Sequence, residues 1–328
     1  MVSSKGAVLV AGGAGYIGSH VCKALAARGY LPVTLDDLST GHRSAVRYGP
    51  FVEGDISSAD AIGRAMREHE LCGVMHFAAK SLVSASVQDP LLYYAENVSK
   101  GVTFLRHLQQ SGITRLLFSS TAAVYGNPGP GAQLTEASPT VPINPYGATK
   151  LAFEQALRWS AEASGAPFAI LRYFNAAGAD ADGEIGESHD PETHLVPLAI
   201  GAALGTRPPL EVFGTDYETP DGTALRDYVH VEDLASAHIV VFERMLQGKH
   251  AQIYNAGGGV GHSVLEVLAS VERVLGQPVP HRLGPRRAGD PPALVADVKQ
   301  LRSTGWSPDR SSLDQIVRSA SDWHRRHG

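Results

Sequence analysis

Tyr146 and Lys150 lie four residues apart in Pro145-Tyr146-Gly147-Ala148-Thr149-Lys150, a spacing that sets both side chains on one face of a helix. An ammonium so placed stabilises a phenolate and draws the tyrosine down from its ordinary pKa of about 10. The pattern is common, and a tyrosine at a helix start also serves simply to pack on a sheet. Its context here is informative. Upstream, Ser119-Ser120-Thr121 closes an apolar run with three hydroxyls. Thr121 suits the task of holding a substrate oxygen, with Ser120 as competitor; the plainer reading of either is a strand-end hydroxyl satisfying a turn.

The third feature is Gly12-Gly13-Ala14-Gly15-Tyr16-Ile17-Gly18. Glycines at 12, 15 and 18 allow a tight turn and let backbone amides approach a pyrophosphate at a helix N-terminus. An apolar run precedes the loop and a helical pattern follows it, as a dinucleotide fingerprint requires. Asp36 ends the next apolar run 18 residues past Gly18, where a carboxylate grips ribose hydroxyls and disfavours a 2′-phosphate. NAD is therefore expected rather than NADP. As part of Asp36-Asp37-Leu38-Ser39, Asp36 also reads as a turn residue. Asp55, in Glu53-Gly54-Asp55-Ile56, is placed to accept from an adenine amino group or to cap the helix after it. Phenolate, hydroxyl and nucleotide loop together describe proton transfer beside a nicotinamide.

The elements that must position these groups follow from periodicity. Residues 7–10, 33–35, 73–78, 116–119 and 168–175 read as buried strands; 17–28, 59–68 and 91–111 read as helices between them. The alternation predicts an α/β fold, a Rossmann-type doubly wound parallel sheet with ligands at the carboxyl ends of its strands. After Asn175 the pattern changes. Residues 176–191 lack a period, and helices resume at 195–204, 231–246 and 264–275, the last opened by a Ser263/Glu266 capping box. The expected division is a nucleotide-binding domain over 1–175 and a smaller α/β substrate lobe over 176–328, interleaved with the last strands of the main sheet.

With 328 residues and 43% hydrophobic content, the chain can bury a large core or two unequal ones. A net charge of −5 points away from nucleic acid and membrane surfaces. The two cysteines, Cys22 and Cys72, suit a reducing compartment, and no apolar run approaches the ~20 residues of a membrane span. A cytoplasmic protein is expected. His189 and His194, with Asp190 and Glu192 nearby, invite a metal reading, but their spacing is poor for one, so a polar loop and no metal are expected.

The chain resembles the extended short-chain dehydrogenase/reductases and, within them, the UDP-glucose (UDP-galactose) 4-epimerases. Residues 12–20, 35–41, 53–56, 76–79, 118–126, 145–150 and 171–178 carry the superfamily motifs. Residues 212–217, 221–233 and 285–290 carry the epimerase-like ones. The resemblance implies inversion at C4 of a UDP-sugar through a transient 4-keto intermediate, with NAD bound throughout. It assigns the base to Tyr146, aided by Lys150 and Thr121. It assigns the cofactor pocket to Gly12, Gly15, Tyr16, Ile17, Gly18, Asp36, Asp37, Leu38, Ser39, Asp55, Ile56, Phe77, Ala78, Ala79, Lys80, Asn97 and Phe174, with Tyr146 and Lys150. It also implies a homodimer.

For the substrate the resemblance implies Arg226 and Arg287 on the phosphates, Asn175 on the pyrophosphate, Phe213 at the uracil and Asp290 at a ribose. Tyr173 lies by the sugar, and His194, beside Leu195, replaces a frequent asparagine. Leu294 stands where a Tyr or a smaller residue gates the sugar. A UDP-N-acetylhexosamine or UDP-pentose is thus an alternative substrate. Dehydration is disfavoured because Thr121 is followed by Ala122-Ala123, which move no protons. Retention of Tyr146, Lys150 and Thr121 argues against a non-catalytic NAD-binding protein.

Overall fold

A computed structural model describes residues 5–129, 131, 133–248, 252–287 and 290–327. The chain divides into two compact units that do not follow its halves. The first comprises residues 1–126, 140–172 and 235–254; the second comprises 127–139, 173–234 and 255–328.

The first unit is built on a seven-stranded sheet. Its order is Gln252–Ala256, Phe168–Tyr173, Leu116–Thr121, Leu71–His76, Ala7–Ala11, Leu31–Asp36, Phe51–Glu53. Ala7–Ala11 pairs in parallel with Leu31–Asp36 on one side and Leu71–His76 on the other, Leu9 facing both Val33 and Val74. The strand order reverses between those neighbours, which makes this the switch point where open α/β sheets bind ligands. The core is continuous: Leu9, Val33, Leu35, Val74, Phe104, Phe118, Phe153 and Ile170 pack in one cluster. Central strands of such a sheet are covered on both faces, so they read as unbroken apolar runs.

The predicted helices at 59–68, 231–246 and 264–275 have those bounds, the last with its Ser263/Glu266 capping box intact. Two segments differ from expectation. Residues 91–111 are not one helix: a π-helical stretch, Tyr94–Ser99, separates Pro90–Tyr93 from Lys100–Gln110. The expected strand over 168–175 breaks at Phe174, and Asn175–Ala177 joins another sheet beside Leu225–His230.

In the second unit Leu225–His230 is central. It pairs antiparallel with Gly261–Ser263 and parallel with Ala293–Ala296, setting Arg226 opposite Leu294. A separate parallel pair joins Leu210–Phe213 to His281–Gly284. Helices Leu195–Ala203, Val264–Leu275 and Leu313–His327 bury Ile200, Val267, Val271, Ile316 and Val317 together. Among the described residues no helix is long and apolar enough to cross a membrane.

Candidate functional site

In the first unit the residues of interest gather at strand ends. Gly12 follows Ala7–Ala11, and helix Tyr16–Ala27 begins after Gly15 without a side-chain cap. A Cβ on Gly18 would sit 2.1 Å from the Gly12 carbonyl, so the tight turn demands glycine there. A Cβ on Gly15 would meet only that same carbonyl, at 3.4 Å. Gly15 supplies no side-chain cap to helix Tyr16–Ala27, so turn and helix start form a cradle of backbone. That cradle fits a pyrophosphate.

Asp36, the last residue of its strand, is buried and accepts the N–H of Ala14 and of Leu38, each at 2.9 Å. Burial raises its pKa and the two N–H bonds oppose the shift. Leu38 holds φ at 59°, the left-handed region a branched side chain avoids, which strains the turn that aims Asp36. Asp37 accepts the Ser39 N–H. Asp55 does not cap the next helix; Ser58 does, accepting the Ala61 N–H. The Asp55 carboxylate instead binds Ser57 and, at 2.7 Å, the Lys100 ammonium, an arrangement that nets a lowered pKa against its burial. Ile56 is buried beside it in the core.

Phe77, Ala78, Ala79 and Lys80 continue from Leu71–His76, and the Phe77 ring packs against His238. The π-helical stretch turns Asn97 onto this segment. Its Oδ1 accepts the Lys80 N–H at 2.8 Å, and its Nδ2 donates to the Lys80 carbonyl and to Thr149. Asn97 therefore shapes the 77–80 loop with its own amide donors already used, a common job for π-helical irregularities.

Tyr146 and Lys150 occupy the first turns of helix Pro145–Ser164, which starts with Asn144 accepting the Gly147 N–H and with proline at its first position. Both side chains are buried. Gly147 permits the approach: a Cβ there would lie 2.5 Å from the Ala123 carbonyl in the turn after Thr121. Lys150 Nζ donates to the Ser119 carbonyl at 2.9 Å and lies 4.9 Å from the Phe118 ring centroid. Burial pushes the ammonium down to about 7, with the Glu154 carboxylate holding it up. The same burial, with Lys150 adding repulsion, lowers His76 to about 3, so His76 sits neutral among Phe104, Phe118 and Phe153.

The two candidate hydroxyls are now separable. Ser120 is 0% exposed and donates to Glu154 Oε1 at 2.6 Å, whereas Thr121 is 8% exposed. Thr121 Oγ1 accepts the Ala123 N–H at 3.1 Å, which leaves its own proton to be donated. Glu154 and its partner Arg172 are residues that the motif analysis overlooks. They form a buried pair, Nε to Oε1 at 2.9 Å and Nη2 to Oε2 at 2.6 Å, and Arg172 also donates to the Tyr125 hydroxyl. Two signals could have found them: Glu154 continues the 146, 150, 154 face, and Arg172 interrupts an otherwise apolar strand.

A pH test follows from Lys150. Its folded pKa lies below its ordinary 10.5, so the unfolded chain binds the extra proton between about 7 and 10.5. Its contribution to stability is fully present above 10.5 and is lost as pH falls through about 7. In cofactor-stripped protein, urea unfolding from about pH 6 to about pH 9 should show wild type gaining stability over Lys150→Met as pH rises. Parallel curves would refute the shift.

The second unit holds the other residues. Arg226 pairs with Asp290 and donates to the Leu225 carbonyl. The Arg287 guanidinium lies 4.2 Å from the Phe213 ring centroid, a flat cationic platform over an aromatic one. Residues 288 and 289, between these, lie outside the described residues. Tyr173, Phe174 and Asn175 belong to this unit, Phe174 buried and its N–H donating to the Ala256 carbonyl. Asp227, next to Arg226, accepts N–H groups from Gly258, Gly259 and Ala296 and so fastens the strand that bears Leu294. Burial lifts its carboxyl to about 7 against those three bonds.

Residues 187–194 form a loop whose two histidines contact buried carboxylates. His194 precedes helix Leu195–Ala203, and its Nδ1 lies 2.8 Å from both Glu187 Oε1 and Glu192 Oε1. Burial disfavours charge on His189 and His194, but the two carboxylates outweigh it and raise the rings to about 9 and about 10.

The pattern of the NAD dependent epimerase/dehydratase family matches residues 8–257. A UDP-glucose 4-epimerase of Azospirillum brasilense is 51% identical over 320 residues, spanning 97% of this chain and 92% of its own length. The structure of UDP-glucose 4-epimerase from Brucella ovis in complex with NAD superposes with a TM-score of 0.93 at 47% identity, covering 97% of this chain and 98% of that one. A UDP-glucose 4-epimerase from Stenotrophomonas maltophila, with bound NAD and formylated UDP-arabinopyranose, gives 0.93 at 39% identity over 98% of both chains.

Proposed function

Since this chain belongs to the NAD dependent epimerase/dehydratase family, we propose that it interconverts UDP-galactose and UDP-glucose by inverting C4 with NAD held in place. One observation carries the reading: a buried lysine, one turn from Tyr146, reaches the strand end that bears Thr121. NAD, when bound, supplies the hydride acceptor and returns the hydride. Gly12, Gly15 and Gly18 with Tyr16 and Ile17 seat its pyrophosphate, and Asp36 takes its ribose hydroxyls. Residues 37–39, 55, 56 and 77–80 complete the pocket.

Tyr146 takes the 4-hydroxyl proton and gives it back after the sugar has turned. Lys150 stabilises the phenolate, and Thr121 donates to the same oxygen. A sugar that must offer either face cannot be gripped tightly, so binding energy is concentrated on the UDP. Arg226 and Arg287 suit the phosphates because a guanidinium forks onto two oxygens. Asn175, His194, Leu195, Phe213 and Asp290 add contacts to nucleotide and ribose, and Tyr173 and Phe174 border the sugar.

Purified protein given UDP-galactose and no added NAD should yield UDP-glucose. Release of a reduced or dehydrated sugar would overturn the reading. Leu294→Tyr, opposite Arg226 on the neighbouring strand, should lower kcat/KM for UDP-N-acetylgalactosamine about 10-fold more than for UDP-galactose. Equal effects on both would remove Leu294 from the sugar pocket. A homodimer and a cytoplasmic location are part of this reading; exposed Val87, Leu91, Leu92, Tyr94 and Trp159 on the first unit support the dimer.

A further inference from the structure

Glu187, His189, Glu192 and His194 fall within eight residues, and each offers one ligand atom, all four within 4.8 Å of one another. Both carboxylates are buried, and the two imidazole rings stand 4.9 Å apart. We propose that these four side chains bind one divalent transition-metal ion, zinc by preference, as a structural centre of the second unit.

Three observations converge. The first is directional. His194 Nδ1 meets two carboxylate oxygens, each at 2.8 Å, although a nitrogen can aim one N–H along one line only. His189 Nδ1 faces the same two residues, 3.2 Å from Glu187 Oε1 and 3.8 Å from the other Glu192 oxygen, Oε2. A cation between the two imidazole nitrogens and one oxygen of each carboxylate engages all four side chains at once. The second is size. Tetrahedral zinc with bonds of about 2.0–2.1 Å sets its ligand atoms about 3.3 Å apart. The four His–Glu contacts, 2.8 to 3.8 Å, lie around that edge, and one ligand atom from each residue falls within 4.8 Å of the others. The third is charge and donor type. Two carboxylates neutralise a divalent ion, and two imidazoles favour zinc over magnesium or calcium.

The surroundings are those of a held site. Glu192 Oε1 also accepts the N–H groups of Thr193 and His194, both at 2.7 Å. Trp323 Nε1 donates to the Glu187 carbonyl at 2.9 Å, tying the loop to helix Leu313–His327. Four protein ligands leave no open position, which marks a structural ion rather than a catalytic one. Its effect is to clamp residues 187–194 onto the start of helix Leu195–Ala203 and to fix the His194 ring through Nδ1, leaving Nε2–H as donor. The metal centre stands whether or not the epimerase reading holds.

The test reads metal rather than turnover. Tag-free protein, incubated with zinc and gel-filtered, should retain about one equivalent per chain by elemental analysis. Its melting temperature should rise with zinc concentration, because the ion binds the folded state. Cobalt(II) in place of zinc should give the visible absorption of a four-coordinate ion. The double variant Glu187→Gln/His189→Ala should lose retention and spectrum. Wild type that retains no ion, or a double variant that retains as much, overturns the proposal. Should the variant fail to fold, the cobalt titration of wild type decides alone: six-coordinate or absent spectra refute the site.

Discussion

Tyr146→Phe is expected to lower turnover by about 10²–10⁴-fold, the range lost when a positioned general base is removed. The change deletes one oxygen from a buried ring whose backbone N–H is held by Ser86 Oγ, so the helix start should persist. Bound NAD should survive too, because the glycine loop and Asp36 lie on other elements. The check is turnover on UDP-galactose beside NAD released on denaturation. Turnover near wild type would assign the base elsewhere. Loss of NAD together with turnover would mean that the Tyr146 hydroxyl holds the cofactor, and the turnover loss would then say nothing of a base.

The second large effect is on stability. Glu154→Ala should cost about 3–5 kcal/mol, because it leaves the Arg172 guanidinium buried without its carboxylate. Glu154 is fully buried and Arg172 nearly so, and Ser120 would lose its acceptor as well. The urea midpoint should fall with little change in slope. The double replacement Glu154→Leu/Arg172→Met should recover much of the loss, since an apolar pair removes both charges. A single variant as stable as wild type would show that the pair contributes nothing net. Removing Glu154 also takes away the charge that holds the Lys150 pKa up, so neutral-pH activity should drop further than stability alone explains.

The first unit's architecture is legible in the sequence, and so are the local patterns on which its proposed chemistry rests. Apolar runs alternating with helical periods specify a covered parallel sheet, and buried central strands leave few other readings. The glycine loop, Asp36 and the Tyr146/Lys150 pair are local signals, legible because chain neighbours share a turn or a helix face. The helix over residues 264–275 was legible for the same reason, since a capping box is written within four residues.

Features that depend on distant partners became visible on folding alone. Ser120 and Thr121 are chemically alike, and burial against Glu154 and Arg172 separates them. Residues 91–111 have an unbroken helical period, yet the backbone widens at Tyr94–Ser99 to bring Asn97 onto Lys80. The run from Phe168 to Phe174 is apolar but for Arg172 and reads as one strand, but hydrogen bonding to different neighbours splits the chain between two sheets after Tyr173. Glu187 joins His189, Glu192 and His194 through a loop with no period to read. Local pattern reports which way a side chain faces; which atom it meets is set by folding, where long-range packing and hydrogen bonds outweigh propensity.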